Sequence, residues 1–512
     1  MEQILPDNLK DFHIHFVGIK GTGMAALVEI CHARKALITG SDVPEVFYTD
    51  TILKQCGIKP YTSFSSEHIT DDVKLVVYSS AYKLDENPEL IEAKKRGIKT
   101  ILYSEALGEV SKLSYSCGIC GVHGKTTTTG LTGTILKALD LPVQVLAGSM
   151  IPAFSDNPEG SCTFNKGDKY FVAETCEYQR HFMSFHPKKI ILTSVESDHQ
   201  DYYPTFKDIQ NAFVDYICLL PENGQLIYCA DDTGAAETAC LAALKRPDII
   251  LTPYGESART KDGDVTPFTL MFGNVKDGKQ YFSLAGFDSW FSLCVYGKHM
   301  VRNANAAITL SLSLLADNFG FDSVEKLPQD ILSDALVKIQ NALPLFKGAR
   351  RRSEVVAHTK INGNDVIFID DYGHHPTAVN TTLAGFKEFY PDRIIICDFM
   401  SHTYTRTQAL LDEFGACFSS ADKVILHKIY GSAREKIGNL LDNGKTIDQM
   451  LFEKIQQHHN DVKYFPEILD ASDYALSELS KKLPQDKSGY LFVTMGAGDN
   501  WKITQEILKR IK

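Results

Sequence analysis

The sequence predicts an α/β protein of three successive domains, each built on a mostly parallel sheet. Strand-like apolar runs alternate with helical stretches along the whole chain, the pattern that buries a parallel sheet between layers of helix. In each third of the chain one such run feeds a loop of distinctive composition: GIKGTG at Gly18, GVHGKTT at Gly121 and DDYGHHP at Asp370. The length, 512 residues, suits about three domains. The expected boundaries are residues 1–112, 113–345 and 346–512.

The first domain opens on the alternating run Phe12–Lys20, then a Gly-rich loop and the helical stretch Met24-AALVEICHARK. Short strands follow at Ala36–Val43 and Val73–Tyr82. Pro88–Ile98 reads as an amphipathic helix closed by Gly97, and Thr100–Ser104 as a strand. The middle domain starts near Leu113 with SYSCGICGVHGKTTTTG. Tyr170-FVAET, Lys188-KIILTSVES and Gln225-LIYCADD are apolar enough for buried parallel strands. Between Thr260 and Tyr296, short alternating runs separated by Gly predict a small antiparallel insertion. Asn303-ANAAITLSLSLLAD then reads as a buried helix. A boundary is expected near Leu345–Val355, after which strands beginning at Val366, Arg393, Asp422 and Gly489 repeat the alternation. The short basic run Arg350–Arg352 reads equally well as a solvated turn or as an anion contact or domain clamp.

Composition narrows the function classes. Lys and Arg number 53 against 64 Asp and Glu, a formal net charge of −11. A chain that grips nucleic acid or an acidic membrane by charge leans the other way, so neither partner is expected. No run of ~18 apolar residues suggests a membrane span, and the start MEQILPDNLKDFHIHF lacks a basic-then-apolar leader. A cytoplasmic location is expected. The 12 cysteines are scattered, as buried thiols are in a reduced protein, and the lone Cys117-Gly-Ile-Cys120 sits on a strand rather than at a helix start.

The strongest chemical signal is Gly121-Val-His123-Gly124-Lys125-Thr126-Thr127 between a strand and a helix. Backbone N–H groups at a helix N-terminus favour a polyphosphate, Lys125 would reach its terminal phosphates, and the Thr126 hydroxyl would ligate magnesium. Glu174 and His199 follow neighbouring strands at the same edge, where metal ligands for phosphoryl transfer are wanted. In the first domain Gly18, Gly21, Thr22 and Gly23 open a helix, and Asp42 ends the next strand, 19 residues beyond Gly23. That layout fits either a nicotinamide dinucleotide or the diphosphate of a UDP-sugar.

Taken in order, the first Gly loop, GVHGKTTTT, Glu174, the pair Asp198-His199, GKHMVRNANAA, DDYGHHPT, SHTYTRT and the terminal MGAGD resemble the Mur ligases, the ATP-dependent amide-forming enzymes of peptidoglycan synthesis. The resemblance runs from about residue 12 to 499. It implies an N-terminal Rossmann-like UDP-sugar domain, a central P-loop ATPase domain and a C-terminal Rossmann-like domain for the amino acid. Within the family the pattern is nearest the members that join L-alanine to UDP-N-acetylmuramate; addition of a recycled murein tripeptide is the alternative. The implied cofactors are ATP and magnesium or manganese. Lys125, Thr126, Glu174 and His199 fall on the phosphate and metal positions, and His299 and Asn303 on nucleotide contacts. Tyr372, His374, His402 and Arg406 fall on the amino-acid side of the reaction centre. His374 is the candidate base and Arg406 the candidate partner of the substrate carboxylate. Val122, Ser194, Met300, the quartet Glu174-Thr-Cys-Glu, Met400-Ser401 and Thr403 depart from the usual family residues. Without the resemblance, a nicotinamide oxidoreductase or a nucleotide-driven switch would compete; the first has no use for a second phosphate loop.

Overall fold

The computed structural model describes residues 3–155, 160–431 and 445–511. Strands β1 (His13–Val17), β2 (Leu37–Ser41), β3 (Leu75–Tyr78) and β4 (Lys99–Leu102) form an all-parallel sheet in the order β2-β1-β3-β4. Strands β5 (Tyr115–Cys120), β6 (Val143–Ile151), β7 (Ser161–Asn165), β8 (Tyr170–Glu174), β9 (Lys189–Leu192), β10 (Gln225–Cys229) and β11 (Ile250–Tyr254) form a second, in the order β11-β10-β9-β5-β8-β6-β7. Only β7 runs antiparallel to its neighbour there. The expected insertion is a separate antiparallel sheet of β12 (Leu270–Lys276), β13 (Lys279–Leu284) and β14 (Trp290–Leu293). The last sheet, β15-β16-β20-β17-β18-β19, comprises β15 (Glu354–Ile361), β16 (Asn364–Asp371), β17 (Arg393–Met400), β18 (Lys423–Leu426), β19 (Val462–Tyr464) and β20 (Gly489–Gly496). It is parallel except for the hairpin β15–β16.

The helices begin where local chemistry satisfies their free N–H groups. The helix Pro88–Lys95 carries Pro at its first turn, and the Asn87 side chain accepts hydrogen bonds from Glu89 N at 2.9 Å and Leu90 N at 3.3 Å. Its exit residue Gly97 has φ +70°, as a left-handed helix stop requires. The buried helix predicted from Asn303 starts earlier, spanning Lys298–Asn318, and it packs with the helix Lys125–Ala138 over one apolar core that continues into the small antiparallel sheet.

Two side-chain bridges and the loop before β15 hold the sheets in relative position. Ser161 Oγ, on β7, donates to Glu29 at 2.7 Å, and Arg34 Nε donates to Gln144 Oε1 at 2.7 Å, tying the helix Thr22–Ala33 to the middle sheet. The Arg350–Arg352 run is a turn with Arg350 exposed, and it also clamps two units together. Arg350 N donates to Met150 O at 2.9 Å while its guanidinium lies over Tyr48, and Arg351 Nε donates to Asp370 Oδ2 at 2.9 Å. All 12 cysteines are free. Cys117 and Cys120 are fully buried in β5, and burial pushes the Cys117 thiol up to about 12, so this CxxC is inert packing.

Candidate active site

The C-terminal ends of β5, β8, β9 and β10 converge with the loop after β16 around a cavity of about 290 Å³. This is the edge at which ligands bind in parallel α/β sheets. Its lining draws residues of the phosphate loop, the start of the helix Lys298–Asn318 and the segment 371–382 into one space.

The phosphate loop is held open by its neighbours. Val122 N donates to Ser194 O at 3.0 Å and His123 N to Ser194 Oγ at 2.9 Å, so the serine supports the loop directly. Gly124 has φ +83°, and a Cβ there would lie 2.7 Å from Asn303 Oδ1. Glycine is therefore required where the loop meets the long helix. Lys125 Nζ donates to both carboxylate oxygens of Glu177, at 3.0 and 2.9 Å. Burial opposes the lysine's charge, but the field of Glu177 outweighs it and holds the lysine pKa above its ordinary value. The reciprocal effect holds buried Glu177 below the usual carboxylate range despite its own desolvation.

Thr126 Oγ1 donates to Glu174 Oε1 at 3.1 Å, and Gly148 N donates to Glu174 Oε2 at 2.8 Å. This pair of hard oxygen ligands at the foot of the phosphate loop suits a magnesium-class cation, which keeps part of its water shell. His199, with φ +54°, faces two acids of the cluster: its Nε2 is 3.7 Å from Glu177 Oε1 and 3.8 Å from Asp198 Oδ2. Glu177 thus links Lys125 to His199, a role the sequence reading did not give it. The signal was present, since Glu177 closes the quartet Glu174-Thr-Cys-Glu.

His299 and Asn303 occupy the first two turns of the helix Lys298–Asn318 and line the cavity beside the phosphate loop. Burial lowers His299 to about 4, so it is a neutral imidazole near pH 7. Met300 is buried against the core and reaches the same wall.

On the opposite wall, His374 Nδ1 lies 2.8 Å from Tyr372 O. Its N–H therefore sits on Nδ1 and its lone pair on Nε2. Burial, and then the Arg406 cation, hold His374 well below the ordinary histidine value. His402 and Tyr372 flank it, with ring centroids 5.9 and 5.1 Å away. Arg406 is buried; its Nε donates to Asp198 Oδ1 at 2.8 Å and its Nη1 to His402 O at 3.2 Å. Burial alone would raise Asp198, but Arg406 and His199 hold it far below the carboxylate range. Thr403, with φ +68°, caps the short helix Tyr404–Ala409 by accepting from Arg406 N at 3.4 Å, which fixes where that arginine starts. Asp198 was seen in the sequence only as His199's neighbour; here it joins the middle sheet's edge to the third.

The first-domain residues gather separately. Gly21, Thr22 and Gly23 line a cavity of about 230 Å³ at the N-terminus of the helix Thr22–Ala33, facing His181 of the middle unit. Gly18 and Asp42 do not line it. Asp42 is buried and accepts from Lys20 N at 2.7 Å, Val43 N at 2.8 Å and Tyr82 OH at 3.1 Å. Its hydrogen bonds shape the loop.

The sequence matches the Mur ligase family, catalytic domain, over residues 13–115, the Mur ligase middle domain over 119–311, and the Mur ligase, glutamate ligase domain over 351–498. The chain belongs to the Mur ligase family. Among its relatives, the UDP-N-acetylmuramate--L-alanine ligase of Treponema pallidum (strain Nichols) is 46% identical over 508 residues, covering 99% of this chain and 98% of that one. The protein of the same name from Borreliella burgdorferi is 36% identical over 492 residues, covering 96% and 97%. The solved UDP-N-acetylmuramate-alanine ligase of Thermotoga maritima shares the fold with a TM-score of 0.69 at 21% identity, covering 98% and 99%. A murein peptide ligase from Psychrobacter arcticus does so with a TM-score of 0.60 at 22% identity, covering 97% and 98%. In this Mur ligase, then, the phosphate loop and the third-domain wall face each other across one cavity. No helix among the described residues is long and apolar enough to cross a membrane.

Proposed function

We propose that this Mur ligase joins L-alanine to the carboxylate of UDP-N-acetylmuramate at the expense of ATP, through an acyl phosphate, as a step of peptidoglycan synthesis in the cytoplasm. The observation that carries the reading is the single cavity in which Lys125, Thr126 and Glu174 face His374 and Asp198. Phosphate-handling and amine-handling groups must share one space if an activated carboxylate is to meet an amine before water does. The relatives described above, named for alanine addition, favour alanine over a recycled tripeptide.

A carboxylate resists attack because its charge repels a nucleophile and oxide does not leave. Phosphorylation by ATP supplies a leaving group. Lys125 leaves Glu177 to reach the terminal phosphates, and the loop N–H groups cradle them. Thr126 and Glu174, with His199 and Glu177 beside them, would hold magnesium or manganese, which when bound neutralises phosphate charge. The first-domain cavity around Gly21, Thr22 and Gly23 takes the UDP end of the sugar. Arg406, two of whose five N–H donors are committed, offers the rest of its fork to the alanine carboxylate, flanked by Tyr372 and His402. That carboxylate offsets the Arg406 cation, which in the free site depresses His374. His374 Nε2 is thereby made a better base for the ammonium proton when substrate arrives. The amine attacks the acyl carbon, and phosphate leaves.

The test is phosphate release from ATP and magnesium with UDP-N-acetylmuramate and, separately, L-alanine, glycine, L-serine or the cell-wall tripeptide. Release that needs both sugar and L-alanine, with the product of matching mass, is expected. Release with the tripeptide alone would move the chain to peptide recycling, and release with neither would leave a nucleotide hydrolase.

A further inference from the structure

A second cluster lies in the same cavity and has no part in the reaction above. His123 of the phosphate loop, Glu196 after β9 and His375 at the start of the helix Pro376–Phe389 bring their ligand atoms within 4.8 Å of one another. His123 Nε2 is 3.6 Å and His375 Nδ1 3.7 Å from Glu196 Oε2. Four features give the cluster a defined chemistry. His123 Nε2 is buried and has no hydrogen-bond partner. Glu196 is oriented by Thr377 Oγ1, which donates to its Oε2 at 2.8 Å. His375 Nε2 lies 3.3 Å from Ser197 O, which leaves Nδ1 as the lone-pair nitrogen; that nitrogen's one bond is a long 3.3 Å contact from Thr377 N. The two imidazole rings approach to 4.8 Å between centroids, tilted by 52°, on either side of the Glu196 carboxylate.

We infer that His123, Glu196 and His375 form a site for a transition-metal dication of the zinc class, distinct from the oxygen-lined magnesium position at Thr126 and Glu174. Two imidazoles and one carboxylate are the ligand set of open zinc sites, which leave a fourth position to water. Ligands at about 2.0 Å in tetrahedral array stand about 3.4 Å apart, so the two distances to Glu196 need to close by only a few tenths of an ångström. Imidazole nitrogen also selects against magnesium, which prefers all-oxygen shells. The ligands come from two units: His123 and Glu196 from the middle sheet's edge, His375 from the third. A bound ion therefore fastens the third domain onto the phosphate loop.

The probe is cobalt(II), which reports its geometry by visible absorption, titrated into the full chain in excess magnesium and without ATP. The expected result is one equivalent bound with the intense d–d bands of a four-coordinate nitrogen and oxygen site, displaced by zinc. Glu196→Gln and His375→Asn should each abolish the bands, while Thr377→Val, which frees the carboxylate, should weaken binding about tenfold. Thermal melting identifies any variant that fails to fold, and the other then decides. Bands absent from the parent protein in magnesium, or bands retained in folded Glu196→Gln and His375→Asn, would overturn the site.

Discussion

At the scale of single residues, the site is a set of charges that hold one another until substrate takes over. Half-buried Lys125 pairs with fully buried Glu177 at 2.9 Å, so the lysine is kept charged and aimed. Lys125→Ala should reduce ATP-dependent ligation to background while UDP-sugar binding, measured by calorimetry, stays within about twofold of the parent. Loss of sugar binding in a folded variant would contradict the separation of the two cavities. His299 gives a pH prediction. Its folded value, about 4, lies below the ordinary 6.5 because the ring is buried. The unfolded chain therefore takes up this proton first as pH falls. The associated stability is fully present above 6.5 and is lost progressively toward 4. The melting temperature of the ligand-free protein should fall between pH 7 and pH 5, and the fall should be shallower in His299→Gln. Equal slopes would show that this ring does not titrate as buried.

At the scale of elements, the motif-bearing strands were legible because each combines a buried apolar run with a loop whose composition has a mechanical reason. β5, β8, β9, β10, β17 and β20 all fall within the predicted runs, as does the antiparallel insertion, and β16 starts two residues before its run at Val366. What stayed hidden was structure whose reason is tertiary. β6 and β7 carry no loop motif, and β15 is an edge strand with exposed valines at 355 and 356 whose alternation means nothing until it pairs with β16. Yet β6 matters to the site, because Gly148 at its bend meets Glu174. A Cβ there would lie 2.7 Å from Glu174 Oε2. Gly148→Ala should push that carboxylate away from Thr126 without touching the phosphate loop. The expected outcome is a magnesium requirement raised about tenfold or more, with the UDP-sugar affinity unchanged. An unaltered magnesium titration would remove Glu174 from the metal position.

At the scale of the whole molecule, the pocket proposed for the amino acid lies where two units meet. Asp198 and Arg406 are 208 residues apart, and both are buried when their 2.8 Å contact forms. The sequence named Arg406 through its motif but gave no sign of its partner, because the pairing depends on how the third sheet sits on the second. The same holds for the Arg350–Arg352 clamp, whose basic run read equally well as a turn. A buried ion pair robbed of one member costs about 3–5 kcal/mol, since the survivor keeps its desolvation without its counter-charge. Asp198→Asn should therefore lower the melting temperature and loosen Arg406 together. Arg406→Ala removes the fork itself and should raise the L-alanine KM by about 100-fold, with the ATP KM changed by less than about threefold. If Arg406 serves the amine pocket and Asp198 only positions it, Asp198→Asn should shift the same KM by a smaller factor, and Arg406→Lys should recover little, because a point charge does not reproduce a planar fork. Equal rises in the KM for ATP and for L-alanine would make the pair a domain latch alone and would take Arg406 out of substrate recognition.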